Sequence, residues 1–274
     1  MSPKIGPKTR EPIPTPPIKL MQRTKLIPPK NRDHRYRNRV HPRDLISYRV
    51  LVKETDLLVS ASADLSKQTK DRVHHYRRQL EDYIRRRSDF VSTLLPYPED
   101  PFAPEIIREM ISATRAFGVG PMAAVAGAIA QFVGRDLLRY SEEVIVENGG
   151  DIFVKTKGPI TASIFAGNSP LSNKLGLIFA PEEMPIGVCT SSGTVGHSLS
   201  LGVADAVCVV AQSASFADAA ATALGNRITD GFNLTAEIES IREHKDVKGG
   251  VVIIGKTMAT WGEIELTDFN ESKR

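Results

Sequence analysis

The chain has 274 residues, of which 41% are hydrophobic and 25% are charged, so it can bury an ordinary core and is not disordered as a whole. Its two cysteines, Cys189 and Cys208, exclude a disulfide framework and suit a reducing compartment. The longest uncharged apolar stretch, residues 121–134, is shorter than the roughly 20 residues of a transmembrane helix, and no signal-peptide core is present. We therefore expect a cytoplasmic protein without membrane contact.

The net charge of +4 is distributed unevenly along the chain. Residues 1–49 hold thirteen Lys or Arg and three acidic residues, which leaves a net charge of −6 for residues 50–274. Residues 1–35 also contain eight of the eighteen prolines. This composition predicts a disordered basic extension at 1–35, a folded domain at 36–268 and a short tail at 269–274. The extension lacks interleaved aromatic residues and a repeat, so we expect no nucleic-acid partner.

The first elements predicted after the extension are a hairpin and three helices. Residues 45–52 and 56–62 are β-rich runs that flank a short turn. A long charged helix is predicted up to about Arg87, because its apolar residues recur at helical spacing. Proline residues begin the next two helices at Pro104 and Pro121.

The second half of the sequence is rich in short strands. Asn148-Gly149 between two β-rich runs predicts a second hairpin. Further strands are predicted at residues 160–166, 175–180, 186–192, 205–212, 249–255 and 261–266, the last two closing the sheet. Hairpins mixed with blocks of helix predict an α+β layered fold, with a mixed or antiparallel sheet packed against helices.

The alanine-rich helix "ASFADAAATALGN" carries the first candidate site. Asp218 and Thr222 lie four residues apart and therefore share one helix face. One interpretation makes Ser215 the N-cap and Asp218 its N3 partner, which leaves Thr222 unexplained. The other makes the carboxylate and the hydroxyl ligands of Mg²⁺, a cation that commonly also binds substrate phosphates.

The second candidate is the loop "GVCTSSGTVGHSLSLG", residues 187–202. Its hydroxyl groups and backbone N–H groups could hold an anion. Ser192 or Cys189 would be a nucleophile if His197 lay within hydrogen-bonding distance. The alternative is a polar turn with a surface histidine.

Two glycine-rich turns are further candidates. Gly120 precedes the helix that Pro121 begins, where a helix N-terminus favours anions, although close packing also explains a glycine there. The turn "ENGGDIF" adds Gly150 and Asp151 to a hairpin signal that needs only Asn148 and Gly149. These additional residues indicate close approach of the backbone to a ligand.

Four stretches in the same order, "VGPMAAVAGAIAQFVG", "VENGGDIF", "CTSSGTVGHS" and "SASFADAAATALGN", resemble an uncharacterised group of bacterial and archaeal proteins related to ApbE. ApbE proteins are FAD:protein FMN transferases. The resemblance covers roughly residues 35–266 and implies an ApbE-like layered fold. It also implies a site for FAD, FMN or another phosphorylated small molecule, and a flavin-related transferase activity.

The resemblance assigns roles to individual residues of this sequence. Asp218 and Thr222 match the D-A-x-x-T pattern with which the transferases hold Mg²⁺ against the FAD pyrophosphate. The residues that would line the ligand are Gly120, Gly149, Gly150, Asp151, Ser191, Ser192 and Gly193. His197 would be the acid or base, and Cys189 is the second catalytic candidate.

The sequence departs from the transferases after His197, where "HSLSLGVAD" lacks their Asp-Pro and Thr-Gly residues, and in "VAGAIA", which lacks their lysine. The cation and phosphate end of the site is retained best. One alternative is an accessory role in sulfide assimilation into homocysteine, which the resemblance also implies, with Cys189 as the thiol and a partner or homodimer completing any cluster. Another is a non-catalytic scaffold whose basic extension binds a protein partner.

Overall fold

The computed structural model of the chain describes residues 45–192, 202–229 and 234–269. The predicted extension at 1–35, Gly193 and His197 lie outside the described residues. The α-helices are α1 (Ser66–Arg86), α2 (Glu105–Phe117), α3 (Val125–Leu137), α4 (Ala214–Arg227) and α5 (Leu234–Arg242), with short 3₁₀ helices at Pro121–Ala124 and Pro181–Glu183. The strands are β1 (Ile46–Val52), β2 (Thr55–Ala61), β3 (Val144–Asn148), β4 (Asp151–Lys155), β5 (Ile160–Ser163), β6 (Leu175–Phe179), β7 (Ile186–Ser191), β8 (Ala206–Ala211), β9 (Val247–Ile254), β10 (Thr257–Gly262) and β11 (Glu265–Asp268).

These strands form two antiparallel sheets. The large sheet has the order β1-β2-β3-β4-β7-β8-β9-β10, and the small sheet has the order β11-β6-β5. Neighbouring strands run antiparallel throughout both sheets. The predicted α+β class is therefore confirmed, with antiparallel rather than mixed sheets.

The large sheet is the middle one of three layers. On β4, Phe153 packs with the helices, while Ile152 and Val154 pack with the small sheet, because successive side chains of a strand point to opposite faces. Burial on both faces explains why β8 reads as the continuous apolar run "AVCVVA" with all six residues buried.

Several turns form where the sequence predicts them. The helix α2 ends at Gly118, which adopts a left-handed conformation with a φ of 75°. Pro121 begins the 3₁₀ turn that leads into α3. Asn148 and Asp151 face each other across the β3–β4 turn, in which Gly149 has a φ of 71°.

The alanine-rich composition of α4 follows from how closely this helix approaches its neighbours. A Cβ atom on Gly187 of β7 would lie 2.3 Å from the Cα atom of Ala214. A Cβ atom on Gly127 of α3 would lie 2.2 Å from the carbonyl oxygen of Ala214. Larger residues at these contacts would force the helix away from the sheet, since protein interiors are close-packed.

The prediction of one closing strand at residues 261–266 is wrong. The strand β10 pairs with β9 in the large sheet, whereas β11 pairs with β6 in the small sheet. The chain changes sheets after Gly262, which has a φ of 75° and whose missing side chain admits the Lys248 carbonyl group. Phe269, which follows β11, is only 4% exposed.

Within the described ranges, no single helix combines the length and the apolar character needed to cross a bilayer. The helix α2 and residues Pro121–Leu137 meet that length and composition test only together, as a pair bent by 105°.

The close approach of α4 to β7 yields a stability prediction. We expect Gly187→Ala to lower the free energy of unfolding by at least about 2 kcal/mol, because the new methyl group overlaps the backbone of Ala214. Gly158→Ala is the matched control, since a Cβ atom there meets no atom within 4 Å, and its effect should stay within about 0.5 kcal/mol. Urea denaturation measures both, and equal midpoints for the two variants would contradict the packing argument.

Candidate functional site

The N-terminus of α4 differs from the predicted one. The N-cap is Ser213, whose hydroxyl accepts a hydrogen bond from the Phe216 N–H at 3.3 Å. Ser215 is fully buried inside the first turn, so its predicted role as N-cap is wrong. Asp218 lies five residues beyond the cap and cannot close a capping box, which requires the N3 position.

Asp218 instead bonds to the neighbouring helix. Its Oδ2 atom accepts a hydrogen bond from the Gly127 N–H at 2.9 Å, and the Ala126 N–H also bonds to this carboxyl group. Both amides belong to the first turn of α3, where the helix dipole favours a negative charge. The carboxyl group is thus held by the N-terminus of α3.

A second carboxyl group, that of Asp151, belongs to the same site. Asp151 begins β4 directly after the Gly149-Gly150 turn and is the register partner of Cys189 on β7. The Thr190 N–H donates to the carbonyl oxygen of Gly150 at 3.0 Å. These backbone contacts place the turn beside the end of β7.

The turn is also tied to α3. The side-chain amide of Asn148 donates to the carbonyl oxygen of Ala126 at 3.0 Å. Because the Ala126 and Gly127 amides hold Asp218, the turn, the start of α3 and the middle of α4 converge on one place.

The pKa of Asp218 is raised well above its ordinary value, first by burial and then by the negative charge of Asp151. The hydrogen bonds from Gly127 and Ala126 act in the opposite direction. The charge of Asp151 therefore adds to the effect of burial in disfavouring the ionised form of Asp218.

Thr222 lies one turn beyond Asp218 on the same side of α4. Asp218, Thr222 and Asn226 recur at four-residue spacing and all are half-buried. The neighbouring alanines Ala217, Ala219, Ala220, Ala221 and Ala223 are fully buried. The polar stripe therefore faces the accessible side of the helix, as the shared helix face predicts.

The serine part of the second candidate lies beside the turn. Ser191 ends β7 and Ser192 follows it, and both are half-buried. Register along β4 and β7 places them just beyond the Asp151–Cys189 pair. Gly193 and His197, predicted to continue this loop, lie outside the described residues.

Cys189 is present at the site but completely buried. Its thiol donates to the Ala214 carbonyl oxygen at 3.2 Å. Burial raises the pKa of this thiol strongly, and the charges of Asp151 and Asp218 raise it further. A buried thiol with a raised pKa is a poor nucleophile, so this geometry suits a structural hydrogen-bond donor.

The two predicted glycine positions differ in their surroundings. A Cβ atom on Gly120 would lie 2.0 Å from the Thr93 carbonyl oxygen, whereas one on Gly149 would meet no atom within 4 Å. Close packing therefore explains Gly120, whereas a Cβ atom on Gly149 would face open space.

Gln131 is a structural residue that the sequence analysis does not single out. It is 7% exposed, and its side-chain oxygen accepts a hydrogen bond from the Ala214 N–H at 2.7 Å. The lone amide in the apolar run "VAGAIAQFV" is the sequence signal for this role, because a buried amide requires partners. Asn148 gives no such signal, since an asparagine before a glycine already predicts a turn.

The site is poor in protein ligands for a metal. Among residues 45–192, 202–229 and 234–269, no group of three or more His, Cys, Asp or Glu side chains is arranged to hold a metal ion. Any cation here would take two or three protein oxygens and complete its shell with water or ligand oxygens.

The sequence is similar to known proteins over most of its length. Residues 37–255 match the model of a protein family described as AbpE bacteria. A UPF0280 protein of Methanocella arvoryzae is 42% identical over 214 residues, which cover 78% of this chain and 87% of the relative. A UPF0280 protein of Methanosarcina barkeri is 41% identical over 197 residues, covering 71% and 78% respectively.

The fold is similar to that of solved flavin transferases. The flavin transferase ApbE from Vibrio cholerae superposes with a TM-score of 0.53 at 13% identity, covering 80% of this chain and 97% of that one. The flavinyl transferase ApbE of Pseudomonas stutzeri, in its apo form, gives a TM-score of 0.51 at 14% identity, covering 79% and 93%. At this level of identity the likeness concerns the fold.

The carboxyl pair yields a prediction for stability in the absence of divalent cations. Because the folded-state pKa of Asp218 is raised above its ordinary value of 3.8, ionisation of this group destabilises the native state as the pH rises. We expect Asp218→Asn to stabilise the protein by about 1 kcal/mol at pH 8 in EDTA, and this gain should shrink toward pH 4.

Thermal unfolding at several pH values measures this difference. Asp71→Asn, which removes an exposed carboxyl group from α1, is the control and should show no comparable gain. If Asp218→Asn is less stable than the parent at every pH, the hydrogen bonds from α3 outweigh the repulsion and the assignment of a raised pKa is wrong.

The burial of the cysteines yields a second prediction. Cys189 and Cys208 are 0% and 2% exposed, so neither thiol should react with an aromatic disulfide reagent in the native protein, and both should react in guanidinium chloride. Absorbance of the released thiolate measures the reaction. One fast equivalent in the native protein that Cys189→Ser abolishes and Cys208→Ser retains would show an accessible Cys189.

Proposed function

The chain belongs to the family described as AbpE bacteria, and on that premise we propose that it binds a flavin nucleotide, or another ligand with a pyrophosphate group, together with Mg²⁺. The proposed site lies between the polar stripe of α4 and the turn at residues 148–151. The observation that carries the proposal is that Asp218, which shares a half-buried face of α4 with Thr222, is bonded to the start of α3 and feels the charge of Asp151.

The donor set fits a magnesium ion. Carboxylate and hydroxyl oxygens are hard ligands, and Mg²⁺ keeps several waters or substrate phosphate oxygens in its shell. Two or three protein oxygens therefore suffice. Two carboxyl groups that disfavour each other's ionisation would both be stabilised as anions by a cation placed between them.

The surrounding groups fit a phosphorylated ligand. The Gly149-Gly150 turn has no side chains, so a ligand can approach its backbone closely. The hydroxyl groups of Ser191 and Ser192 would donate hydrogen bonds to phosphate oxygens, and the Gly127 N–H would keep the Asp218 carboxylate oriented. When bound, the cation would neutralise phosphate charge and polarise the pyrophosphate bond.

Flavin is the first ligand to test because the structural neighbours are a flavin transferase and a flavinyl transferase. A transferase would break the FAD pyrophosphate bond, form a bond from the FMN phosphorus to an acceptor oxygen and release AMP. In a binding sample without an acceptor protein, water would be the acceptor and the products would be FMN and AMP. A protein acceptor for the flavin would be the partner in that reaction.

The sulfur-handling alternative depends on Cys189. The thiol of Cys189 is buried and not accessible. Among the described residues, no group of three or more His, Cys, Asp or Glu side chains is arranged to hold a metal ion of a cluster. The non-catalytic scaffold remains the second proposal for the case in which no ligand binds.

Two variants of Thr222 distinguish a role of its hydroxyl group in ligand binding from a role of its side chain in packing. We expect the parent protein to bind FAD only with Mg²⁺ present, and Thr222→Val, which keeps the shape but removes the hydroxyl oxygen, to weaken binding at least about tenfold. Thr222→Ser keeps the oxygen and should remain within about threefold of the parent. Flavin fluorescence titrations with Mg²⁺ and with EDTA measure the affinity, and chromatography of the same samples detects AMP.

Two results would contradict the proposal. The first is the absence of Mg²⁺-dependent binding of FAD, FMN and ADP in the parent protein. The second is equal affinity of Thr222→Val and Thr222→Ser for FAD. That result would show that the hydroxyl group of Thr222 does not bind the cation. Circular dichroism of both variants serves as the folding control.

A further inference from the structure

A polar concavity lies on the outer surface of the helical layer, between α1 and α3. This arginine groove has a volume of about 360 Å³ and is lined by Arg72 of α1, Arg135 of α3 and Arg139 just after α3. Its size falls within the range of small-molecule sites, roughly 300–1,000 Å³. None of its residues belongs to the candidate nucleotide site.

The three arginines are only loosely paired. The nearest guanidinium–carboxylate distances among the described residues are 3.7 Å for Arg72 to Asp136, 3.5 Å for Arg135 to Glu105 and 3.8 Å for Arg139 to Asp136. Close hydrogen bonds from nitrogen to oxygen measure about 2.7–3.2 Å. Each guanidinium group therefore keeps donors available for another acceptor.

Arg49 shows that this chain also forms tight arginine pairs. Its Nε and Nη2 atoms donate to the two carboxylate oxygens of Asp56 at 2.7 and 2.6 Å. Such a two-fold contact saturates one edge of the guanidinium fork. The arginines of the groove lack this contact, so their loose pairing belongs to the groove and is not general to the chain.

The floor of the groove is held by a hydrogen bond and by aromatic contacts. The Tyr76 hydroxyl group, on a residue that is only 9% exposed, donates to Asp136 Oδ2 at 2.7 Å. The ring of Tyr76 packs edge-on against Phe132, with ring centroids 5.3 Å apart, and the Arg135 guanidinium carbon lies 5.4 Å from the Phe132 centroid. These contacts preorganise the carboxylate and one of the arginines.

The groove has a local excess of positive charge. Its three arginines exceed its two acidic residues, Glu105 and Asp136, by one charge, whereas residues 50–274 as a whole carry −6. An anion that accepts from several guanidinium forks at once would satisfy the free donors, and phosphate matches their planar geometry.

We propose that the arginine groove binds the phosphate group of a small molecule through Arg72, Arg135 and Arg139, without a metal ion. This site is separate from the proposed Mg²⁺ site. Asp136 lies nine residues along α3 from Gly127, which is about 14 Å at the 1.5 Å rise per residue of an α-helix.

Calorimetric titration with inorganic phosphate and with AMP, in EDTA at low salt, tests this proposal. We expect the parent protein to bind both, and Arg72→Gln/Arg135→Gln to weaken binding at least about tenfold, because it removes charge-assisted hydrogen bonds. If inorganic phosphate and AMP bind with equal affinity, the groove recognises the phosphate group alone. Tighter binding of AMP would assign a phosphomonoester ligand.

Arg85→Gln/Arg242→Gln is the matched control, with the same loss of charge. These two exposed arginines pair with acidic residues three positions earlier, at 3.1 and 3.2 Å. The control pair should keep the parent affinity. No binding by the parent, or an equal loss of affinity in the control pair, would overturn the proposal.

Discussion

The close approach of α4 to α3 and β7 sets the geometry of the helical layer and of the candidate site within it. Gly127 and Gly187 leave room for the backbone at Ala214, and Gln131 supplies the acceptor for the Ala214 N–H. Because α4 lies this close, its Asp218 carboxyl group reaches the first turn of α3. The same packing that closes the helical layer thus also positions the polar stripe.

This arrangement places two acidic groups together at a cost to the stability of the folded protein when Asp218 is ionised. Most of the layer around them is apolar, and the nearby thiol of Cys189 is a weak donor that cannot neutralise a carboxylate pair. Functional sites commonly retain such unfavourable electrostatics because a ligand relieves them. In α4, buried alanines that suit the close packing surround Asp218, whose ionised form the same surroundings disfavour.

Local signals in the sequence predict the turns and helix ends well, because Gly118, Pro121 and Asn148-Gly149 each act through their own backbone preferences. Signals that depend on tertiary contacts are weaker. Both Ser213 and Ser215 are acceptable N-cap residues by type, and only burial against the sheet selects Ser213. Likewise, spacing alone predicts the shared face of Asp218 and Thr222, whereas the partnership with Gly127 spans 91 positions and leaves no local trace.

The small sheet is discontinuous in sequence, since β5 and β6 come from the middle of the domain and β11 is the last described strand. Phe269, just after β11, lies against Gly176 of β6. During synthesis on the ribosome, 85 further residues (180–264) must therefore follow the hairpin of β5 and β6 before its third strand is made. Until then one face of the large sheet stays incompletely covered, which makes the nascent domain dependent on late, non-local pairing.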